Sequence, residues 1–527
     1  MQTNHAARPL NLVYNHSDRP PEVALSKECD AQRDVHVETS SMTRELRISR
    51  RQLGVATGAI LAGGLIAVGT RGHKSANPAA SAVSPQSLGY TVNVNKPGGA
   101  PGFVFFVSGT TAAHLGNVSR PCVLVVADKA GHVVWQRELP AGETAGNLRV
   151  QRYRGKPVLT WWQGRKQWGH GLGASYIADE HYNVISTLTP GGELSSDMHE
   201  FRLTPDGRAL ITSYPEVAAD LTAIGGPRDG RVYNCTASVV DLATKQTLFR
   251  WDALSHIPIS DSPAKYTAGQ TLDVYHMNSI ALDPAGNLVI SMRALSTVFN
   301  VDYRTGAINW RLGGKRSTFA LGDGVEFAYQ HDVEMSDAAT ITLFDNHYEG
   351  SQGHMGDGVV PTSLKWIHLD VAAGRASLVR AQRHPGDLSV GAMGNLQQLP
   401  GGNAFAGWGT AEHISEFTVG GEMVFDASLP GGTYRAFLDE WPGNPVEPPQ
   451  LTFAGDTAHA VWNGATRVNR WRLLHGRESN TLTPRTTVAW SGYDTSIPQT
   501  GGPDGYYQLE ALAADGAVIG TSVLVAL

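Results

Sequence analysis

Three histidines occupy equivalent places in the sequence, each at the start of a predicted β-hairpin. They are His199 in SSDMHEFRL, His276 in DVYHMNSIAL and His331 in FAYQHDVEM. Arg293 ends the return strand of the hairpin that follows His276, so the tight turn between the strands brings Arg293 back to the level of His276. Asn278 lies two residues beyond His276 and is expected on the same face of its strand. One hairpin thus offers an imidazole, an amide and a fixed positive charge together.

This combination of side chains suits the transfer of an anionic XO3 group. Such a transfer passes through a loose transition state with charge on the equatorial oxygens, so positioned cations and hydrogen-bond donors supply most of the catalysis. An imidazole can act there as nucleophile or as general base. A divalent-metal site built from the same histidines, with or without Asp332, is the alternative. No short H-x-H or H-E-x-x-H spacing occurs, and Arg293 would repel a cation, so we predict no metal.

Two kinds of hairpin alternate along residues 120–430 and must position these side chains. One has an acidic or turn residue and then glycine between its strands, as in VLVVADKAGHVVWQ, and the other has a Pro/Asp/Gly turn, as in NSIALDPAGNLVISMR. Two hairpins make a four-stranded unit that cannot bury both faces alone, and closing several units into a ring leaves only short edges. The sequence therefore predicts an all-β fold with a six-bladed β-propeller over residues 83–435; five or seven blades are the alternatives. Equivalent positions in the ring would bring the three histidines into one pocket.

The C-terminal part of the chain shows a different pattern. Residues 436–450 contain the Pro-rich stretch WPGNPVEPPQ and are predicted to be a stiff linker. Residues 451–527 read as alternating strands without a helical stretch. They predict a β-sandwich of the immunoglobulin or fibronectin type III kind.

The N-terminal part reads as a targeting segment. Residues 1–82 comprise a polar extension, the pair Arg50 and Arg51, a Gly/Ala-rich apolar run and small residues up to Ala82. This order predicts a twin-arginine signal peptide that is cleaved after Ala82. The apolar run is short for a membrane span, so we expect an exported protein without a stable span after processing; an uncleaved anchor is the alternative.

Composition excludes some function classes. The chain has 527 residues and a net charge of −6 without an extended basic run, which argues against nucleic-acid binding. Its 59 glycines and 28 prolines are too many for a helical bundle. If the protein is exported to an oxidising compartment, Cys122 and Cys235 could form a disulfide, and the sequence leaves their pairing open.

Three other stretches carry conspicuous side chains with less specific meaning. Four of these residues, Trp161, Trp162, Trp168 and His170, lie in what reads as a loop, where they would line an aromatic-accepting mouth or pack between blades. The segment Asp345, Asn346 and His347 follows the apolar strand ITLF and is expected either at the pocket rim or in a turn. Asp332 could orient the neighbouring His331, although adjacent strand residues face opposite ways.

At these motifs the sequence resembles the bacterial arylsulfotransferase family, in particular its exported two-domain relatives. The resemblance spans roughly residues 85–430 and rests on the blocks DMHEFRLTPDGRALITSY, DVYHMNSIALDPAGNLVISMR, FAYQHDVEM and MGNLQQLPGGNAFAGWG. It implies a six-bladed propeller that transfers sulfuryl groups from a phenolic sulfate donor to a phenol acceptor, with no cofactor and no nucleotide sulfate donor.

The resemblance also implies roles for particular residues. His331 would carry the sulfuryl group between the two half-reactions. The sulfate oxygens and the phenolic oxygen would be bound by His199, His276, Asn278 and Arg293. Asn395, in MGNLQQLP, is a further candidate for the same pocket.

Two other functions stay open at this point. One is a non-enzymatic exported binding propeller that recognises a cell-surface glycan or protein. The other is a metal-dependent hydrolase that uses the same histidines. A propeller fold alone does not decide between them, because many unrelated functions occur on it.

Overall fold

The computed structural model describes residues 88–109, 121–167, 169–347, 361–498 and 504–527. The predicted twin-arginine signal and its cleavage position lie outside these residues. The described chain consists of strands joined by turns, which confirms the all-β class. Its helices are short 3-10 turns, found at Thr222–Ile224, Ile259–Asp261, Arg293–Leu295 and Gly409–Ala411. A membrane-spanning length of apolar helix does not occur among the described residues.

The strands are numbered in chain order. The first ten are β1 Thr91–Asn95, β2 Phe103–Ser108, β3 Val123–Ala127, β4 Val133–Glu138, β5 Thr144–Tyr153, β6 Lys156–Gln167, β7 His170–Ala178, β8 Val184–Leu188, β9 Phe201–Leu203 and β10 Arg208–Ser213. The next eleven are β11 Glu216–Ala219, β12 Gly230–Tyr233, β13 Thr236–Asp241, β14 Thr247–Asp252, β15 Met277–Leu282, β16 Leu288–Met292, β17 Thr297–Val301, β18 Ile308–Gly313, β19 Ala320–Leu321, β20 His331–Met335 and β21 Thr340–Asp345.

The remaining strands run to the C-terminus. They are β22 Ser363–Asp370, β23 Arg375–Arg383, β24 Asn395–Gln398, β25 Ala404–Gly407, β26 His413–Phe417, β27 Met423–Ser428, β28 Phe437–Asp439, β29 Gln450–Ala454, β30 Thr457–Val461, β31 Arg470–Gly476, β32 Thr483–Ala489, β33 Asp494–Pro498, β34 Tyr506–Leu512, β35 Val518–Thr521 and β36 Val525–Ala526.

The aspartates of the repeated hairpins explain why the chain turns where it does. The Asp283 carboxylate accepts hydrogen bonds from the backbone N–H groups of Ala285 and Asn287, and Gly286 between them has a φ of +85°. Glycine adopts this left-handed conformation without steric cost, whereas other residues do not. The Asp128 carboxylate makes the same bonds two and four residues further on. The repeated Asp-x-x-Gly pattern is therefore a turn signal that sets the hairpin register.

The sheets of residues 91–439 follow one another in a closed ring. Within the described residues six sheets have the strand orders β28-β2-β3-β4, β5-β6-β7-β8, β14-β13-β10-β9, β15-β16-β17-β18, β19-β23-β22-β21-β20 and β1-β27-β26-β25-β24. Contacts join successive sheets through β28 and β5, β5 and β9, β10 and β15, β15 and β20, β20 and β24, and β25 and β28. This is the arrangement of a β-propeller, and β11 and β12 form a separate hairpin.

The apolar core of the ring lies between neighbouring sheets. One buried cluster, for example, joins Leu210 and Val239 of one sheet with Ile280 and Ile290 of the next. Each sheet therefore needs its neighbours to bury both of its faces, as expected for radially repeated units.

Both ends of the ring segment are fastened by strand pairing. β1 pairs with β27, and β28 pairs with β2. The predicted linker over 436–450 is therefore too long at its start, because Phe437–Asp439 belongs to the sheet of β2–β4. Residues Phe437 and Leu438 are buried there, which a free linker would not allow.

The C-terminal strands form two further antiparallel sheets. One contains β29, β30 and β33, and the other contains β31, β32, β34 and β35 with β36 at its margin. Both sheets contribute to one apolar cluster, to which Leu451, Ile497, Trp471 and Leu509 belong. This part packs directly on the ring: Asn463 exchanges hydrogen bonds with the backbone of Gln136.

The cysteines of the described chain are not paired. Cys122 and Cys235 are both buried, free thiols that belong to different apolar clusters.

Candidate active site

The histidines predicted to converge do lie together. His199 and His276 come just before β9 and β15, and His331 is the first residue of β20. The ring centroids of His199 and His276 are 4.8 Å apart. The buried ring of Tyr434 lies between the histidines, at 5.6 Å from His199 and 6.5 Å from His331. Three sequence neighbourhoods thus deliver imidazoles to one site, as the repeat pattern predicted.

Two of these histidines are held by aspartates on the preceding segment. His199 Nδ1 lies 2.6 Å from Asp197 Oδ1, and His276 Nδ1 is hydrogen-bonded to Asp273 Oδ2. A carboxylate on Nδ1 fixes the ring and its tautomer, so Nε2 is the nitrogen left for other partners. The spacings Asp-x-His and Asp-x-x-His are visible in the sequence and could have identified both aspartates.

Burial and charge set the protonation of these pairs. Burial alone would raise the pKa of Asp197, but the charge and hydrogen bond of His199 outweigh it and lower the pKa to about 2. Burial lowers the pKa of His276 to about 4, against the opposing effect of Asp273. His276 is therefore neutral at pH 7, while Asp197 is ionised.

His331 is oriented by an amide. Its Nδ1 lies 2.7 Å from Asn346 Oδ1, while the Nδ2 of Asn346 donates to the backbone oxygens of Val390 and Met393. Because the amide's donors are committed to those carbonyls, Oδ1 accepts a proton from His331 Nδ1 and the lone pair of the ring lies on Nε2. A long bond of 3.3 Å from the backbone N–H of Met393 reaches that nitrogen. Burial, followed by the charge of Arg293, lowers the pKa of His331 well below its usual value, so the ring is neutral.

Arg293 lies beside His276 as its position in the hairpin predicted. Its backbone N–H donates to the carbonyl of His276 at 2.8 Å. The guanidinium donates to the carbonyl of Gly391 and lies 5.0 Å from the centre of the Tyr329 ring. Its charge lowers the pKa of both His276 and His331. Arg293 therefore supplies fixed positive charge next to the two imidazoles.

The backbone around the site is conformationally strained. His276, Tyr329, Asp332 and Met393 have φ values of 56°, 53°, 52° and 66°, in the left-handed region that non-glycine residues rarely adopt. Such residues persist only where the surrounding structure holds them, and they cluster at functional sites.

The side-chain amides of two predicted pocket residues are hydrogen-bonded to the protein backbone. Asn395 uses both ends of its amide on Ala436, donating to its carbonyl and accepting from its N–H. Asn278 donates to the carbonyl of Gln330 at 2.8 Å, and its buried Oδ1 has no hydrogen-bond partner in the described chain. Each amide ties an inner strand to the next sheet. The Asn395 amide is thus engaged by Ala436 and the Asn278 amide by Gln330, and substrate binding by either residue stays a prediction.

Asp332 does not orient His331. It accepts the backbone N–H of Leu396 and pairs with Arg435, which also pairs with Glu200. Arg435 and Glu200 are completely buried beneath the site. Burial would raise the pKa of Glu200, but the charges of Arg435 and Arg149 lower it to about 2.

Sequence reasoning missed several members of the site. His170 opens β7 instead of lying in a loop, and its ring stacks on Tyr214 with centroids 4.1 Å apart. It also lies 5.6 Å from the ring of His276. Trp161 and Trp162 are buried in β6. The hydroxyl of Tyr434, between the histidines, is buried without a hydrogen-bond partner among the described residues.

The groups of possible metal ligands differ from the set that the sequence offered as the alternative to a metal-free site. In the described chain, groups of suitable ligands are His170 with Asp273 and His276, His170 with Asp197 and His199, and His384 with His413 and Asp426. His331 is in none of them. Any cation in the site would therefore depend on His170.

A ring of antiparallel sheets with histidines gathered around a buried tyrosine defines a β-propeller with a candidate catalytic site. The family described as arylsulfotransferase (ASST) matches residues 149–429, so the chain belongs to the arylsulfotransferase family. No curated protein matches the chain.

Several solved structures match part of this chain at low sequence identity and with low TM-scores. A Bacteroides caccae protein of unknown function is 12% identical with a TM-score of 0.39, covering 64% of this chain and 98% of its own. The Dos1 propeller is 10% identical with a TM-score of 0.27, covering 66% and 74%. Virginiamycin B lyase from Staphylococcus aureus is 9% identical with a TM-score of 0.29, covering 71% and 97%.

Proposed function

We propose that the protein is a sulfotransferase that moves a sulfuryl group from a phenolic sulfate ester to another phenol. The group would rest on His331 between the two half-reactions, and no nucleotide sulfate donor is needed. Membership of the arylsulfotransferase family supports the class of reaction. The observation that carries the residue assignment is the neutral, Asn346-bound ring of His331, which keeps its lone pair on Nε2 beside Arg293.

In the first half-reaction, His331 Nε2 attacks sulfur in line with the bond to the aryl oxygen. The N–S bond forms as the S–O bond breaks, and the electron pair leaves with the aryl oxygen. Arg293 binds the sulfonate oxygens, where charge is spread in the transition state. The Nε2–H of protonated His199 faces the aryl oxygen, and His276 lies beside both groups. The weak bond from the Met393 N–H must be released before attack.

We assign proton transfer to His199, whose ring is held by Asp197 and lies beside Tyr434. Protonated His199 donates to the leaving phenolate, which is already a stable anion and needs only a weak acid. In the second half-reaction neutral His199 takes the proton of the incoming phenol, whose oxygen attacks sulfur as the N–S bond breaks. Asp197 stabilises the imidazolium through its 2.6 Å contact with Nδ1.

The test is sulfuryl transfer from p-nitrophenyl sulfate to phenol, followed by release of p-nitrophenolate. We expect His331→Asn to lower the rate by about 10³-fold or more, because the nucleophile is removed. His459→Ala, in the C-terminal sheet of β30, is the matched control and should leave the rate unchanged. Mass spectrometry of the protein incubated with donor alone should find acid-labile sulfate on His331. Unchanged transfer in His331→Asn would refute the assignment; no transfer and no sulfate in the wild-type chain would favour a non-enzymatic binding propeller.

Export through the twin-arginine pathway is part of the proposal. It is supported by Arg50 and Arg51, the Gly/Ala-rich run that follows, and the small residues before the cleavage position after Ala82. Replacing both arginines by lysine should retain the full-length chain in the cell. Export of the doubly substituted chain at the wild-type level would contradict this assignment.

A further inference from the structure

One side of the site gathers imidazoles around a carboxylate. We call His170, Asp273 and His276 the β7 cluster, because His170 opens β7. His170 Nε2 lies 3.4 Å from Asp273 Oδ2, and His276 Nδ1 contacts the same oxygen. One ligand atom from each of the three residues lies within 4.8 Å of the others.

The polar atoms of this cluster are incompletely satisfied. His170 is only 3% exposed, yet neither of its ring nitrogens has a hydrogen-bond partner among the described residues. The same holds for the buried Oδ1 of Asp273. Buried polar groups normally have partners, and each exception calls for an explanation such as a missing ion. The His170 ring cannot turn freely towards other partners, because it stacks on Tyr214 and contacts Tyr233 at 4.6 Å.

The donor set matches a first-row divalent cation. Two imidazole nitrogens and one carboxylate oxygen are ligands that Zn²⁺ takes in open, three-residue sites. With Zn–ligand distances of about 2.0–2.1 Å, donors at the corners of a tetrahedron lie about 3.4 Å apart. His170 Nε2 and Asp273 Oδ2 have this separation. His276 Nδ1 is hydrogen-bonded to the same Oδ2, so that bond must open, or the cation must use the unpartnered Oδ1 of Asp273, before both residues bind one cation. In the described chain Asp273 pairs only with imidazoles. The Arg293 guanidinium donates to Gly391 and lies over Tyr329, but its charge still acts on His276, so the Asp273 carboxylate must offset that repulsion when a cation binds.

The alternative group that uses Asp197 is less suited. The carboxylate of Asp197 already accepts hydrogen bonds from the N–H groups of Gly171 and His199 and from the Thr212 hydroxyl. It also accepts a hydrogen bond from Nδ1 of the His199 ring. A cation there would displace several good bonds, whereas Asp273 has an unused oxygen.

The remaining group is an internal control with the same residue types. His384 Nδ1 accepts the N–H of Gly386, so its Nε2 carries the proton that faces Asp426. Asp426 also accepts from Asn93 and Ser415. This group satisfies its own hydrogen bonds, and none of its side chains is left unpartnered in the described chain.

We propose that the β7 cluster binds one Zn²⁺ or a similar first-row divalent cation through His170, Asp273 and His276. A fourth coordination position then remains for water or a substrate oxygen. Binding through His276 Nδ1 requires the ring to change tautomer, because the proton that faces Asp273 on Nδ1 must move to Nε2. The cluster shares His276 with the proposed sulfuryl-transfer site, but the proposed transfer to His331 involves no metal, so zinc binding and sulfuryl transfer are measured separately.

The test is calorimetric titration of the full, chelator-treated chain with ZnCl₂, together with the absorption spectrum of the Co²⁺-loaded chain. We expect one site per chain, and at least about 100-fold weaker binding in His170→Ala and in the isosteric Asp273→Asn. The control His413→Ala should bind as the wild-type chain does. Circular dichroism establishes whether each variant is folded. If His170→Ala does not fold, the test rests on Asp273→Asn alone.

Three outcomes would overturn the inference. They are no zinc binding by the wild-type chain, undiminished binding in folded Asp273→Asn, or loss of binding in His413→Ala instead. Sulfuryl transfer is measured separately on the chelator-treated chain, so loss of the cation site leaves the assignment of His331 unaffected.

Discussion

Asp439 provides a direct test of the electrostatics inside the ring. It ends β28 and lines a cavity of about 340 Å³ together with Arg149, Gln397 and Asp332. Burial raises its pKa to about 7 from the ordinary 3.8, while Arg149 and a weak bond from Gln397 act in the opposite direction. We predict that Asp439→Asn makes the protein more stable at pH 8 than the wild type.

The sign follows from proton linkage. A carboxyl group whose pKa is raised by folding favours the folded state below its unfolded pKa, and this stability is lost as the pH rises towards 7. With pKa values of about 7 and 3.8, the cost of ionising Asp439 grows by about 2.5 kcal/mol between about pH 5 and pH 8. Asp439 is partly exposed, and solvent screening reduces this to roughly 1–2 kcal/mol. Asparagine has no such cost, so the stability gained by substitution should grow by that amount.

The assay is urea-induced unfolding at pH 5 and pH 8, followed by tryptophan fluorescence. The control is Asp456→Asn in the exposed turn between β29 and β30, which should change stability equally at both values. A gain for Asp439→Asn that is the same at pH 5 and pH 8, or a loss at pH 8, would refute the reasoning.

Two further predictions concern the support of the site. Arg435→Met should lower the free energy of unfolding by about 3–5 kcal/mol, because buried Asp332 loses the arginine it pairs with and buried Glu200 keeps Arg149 but loses Arg435; a loss below about 1 kcal/mol in urea unfolding would contradict this. Asn346→Asp places a carboxylate on His331 Nδ1 and should raise the pKa of that ring against the opposing effects of burial, Arg293, His276 and His199. The rate of His331 sulfurylation should then fall from pH 8 to pH 6 in the variant and stay level in the wild type; identical pH profiles would exclude this control by Asn346.

The convergence of His199, His276 and His331 could be predicted because a repeated hairpin places equivalent residues at equivalent points of a ring. The position of Arg293 followed from the length of one hairpin. Both inferences need only strand geometry and repetition.

The roles of Asn395 and His170 could not be predicted in this way. Whether an amide binds substrate or a neighbouring strand depends on which carbonyl faces it, and the contact with Ala436 is set by how two sheets meet. His170 begins the third strand of its sheet, and in the site its ring stacks on Tyr214, which follows a strand of a different sheet. Such contacts arise from packing between neighbouring sheets, which local sequence patterns do not predict.

The fastening of the ring by β28 has a consequence for synthesis of the protein. Tyr434, which touches the rings of His199 and His331, and Arg435, which neutralises Glu200, lie directly before β28 and more than 100 residues after His331. A nascent chain cannot complete its circle or assemble these contacts until the ribosome has made and released this late segment. Fragments that end before this segment should lack the proposed sulfuryl-transfer activity, even if their early sheets have formed.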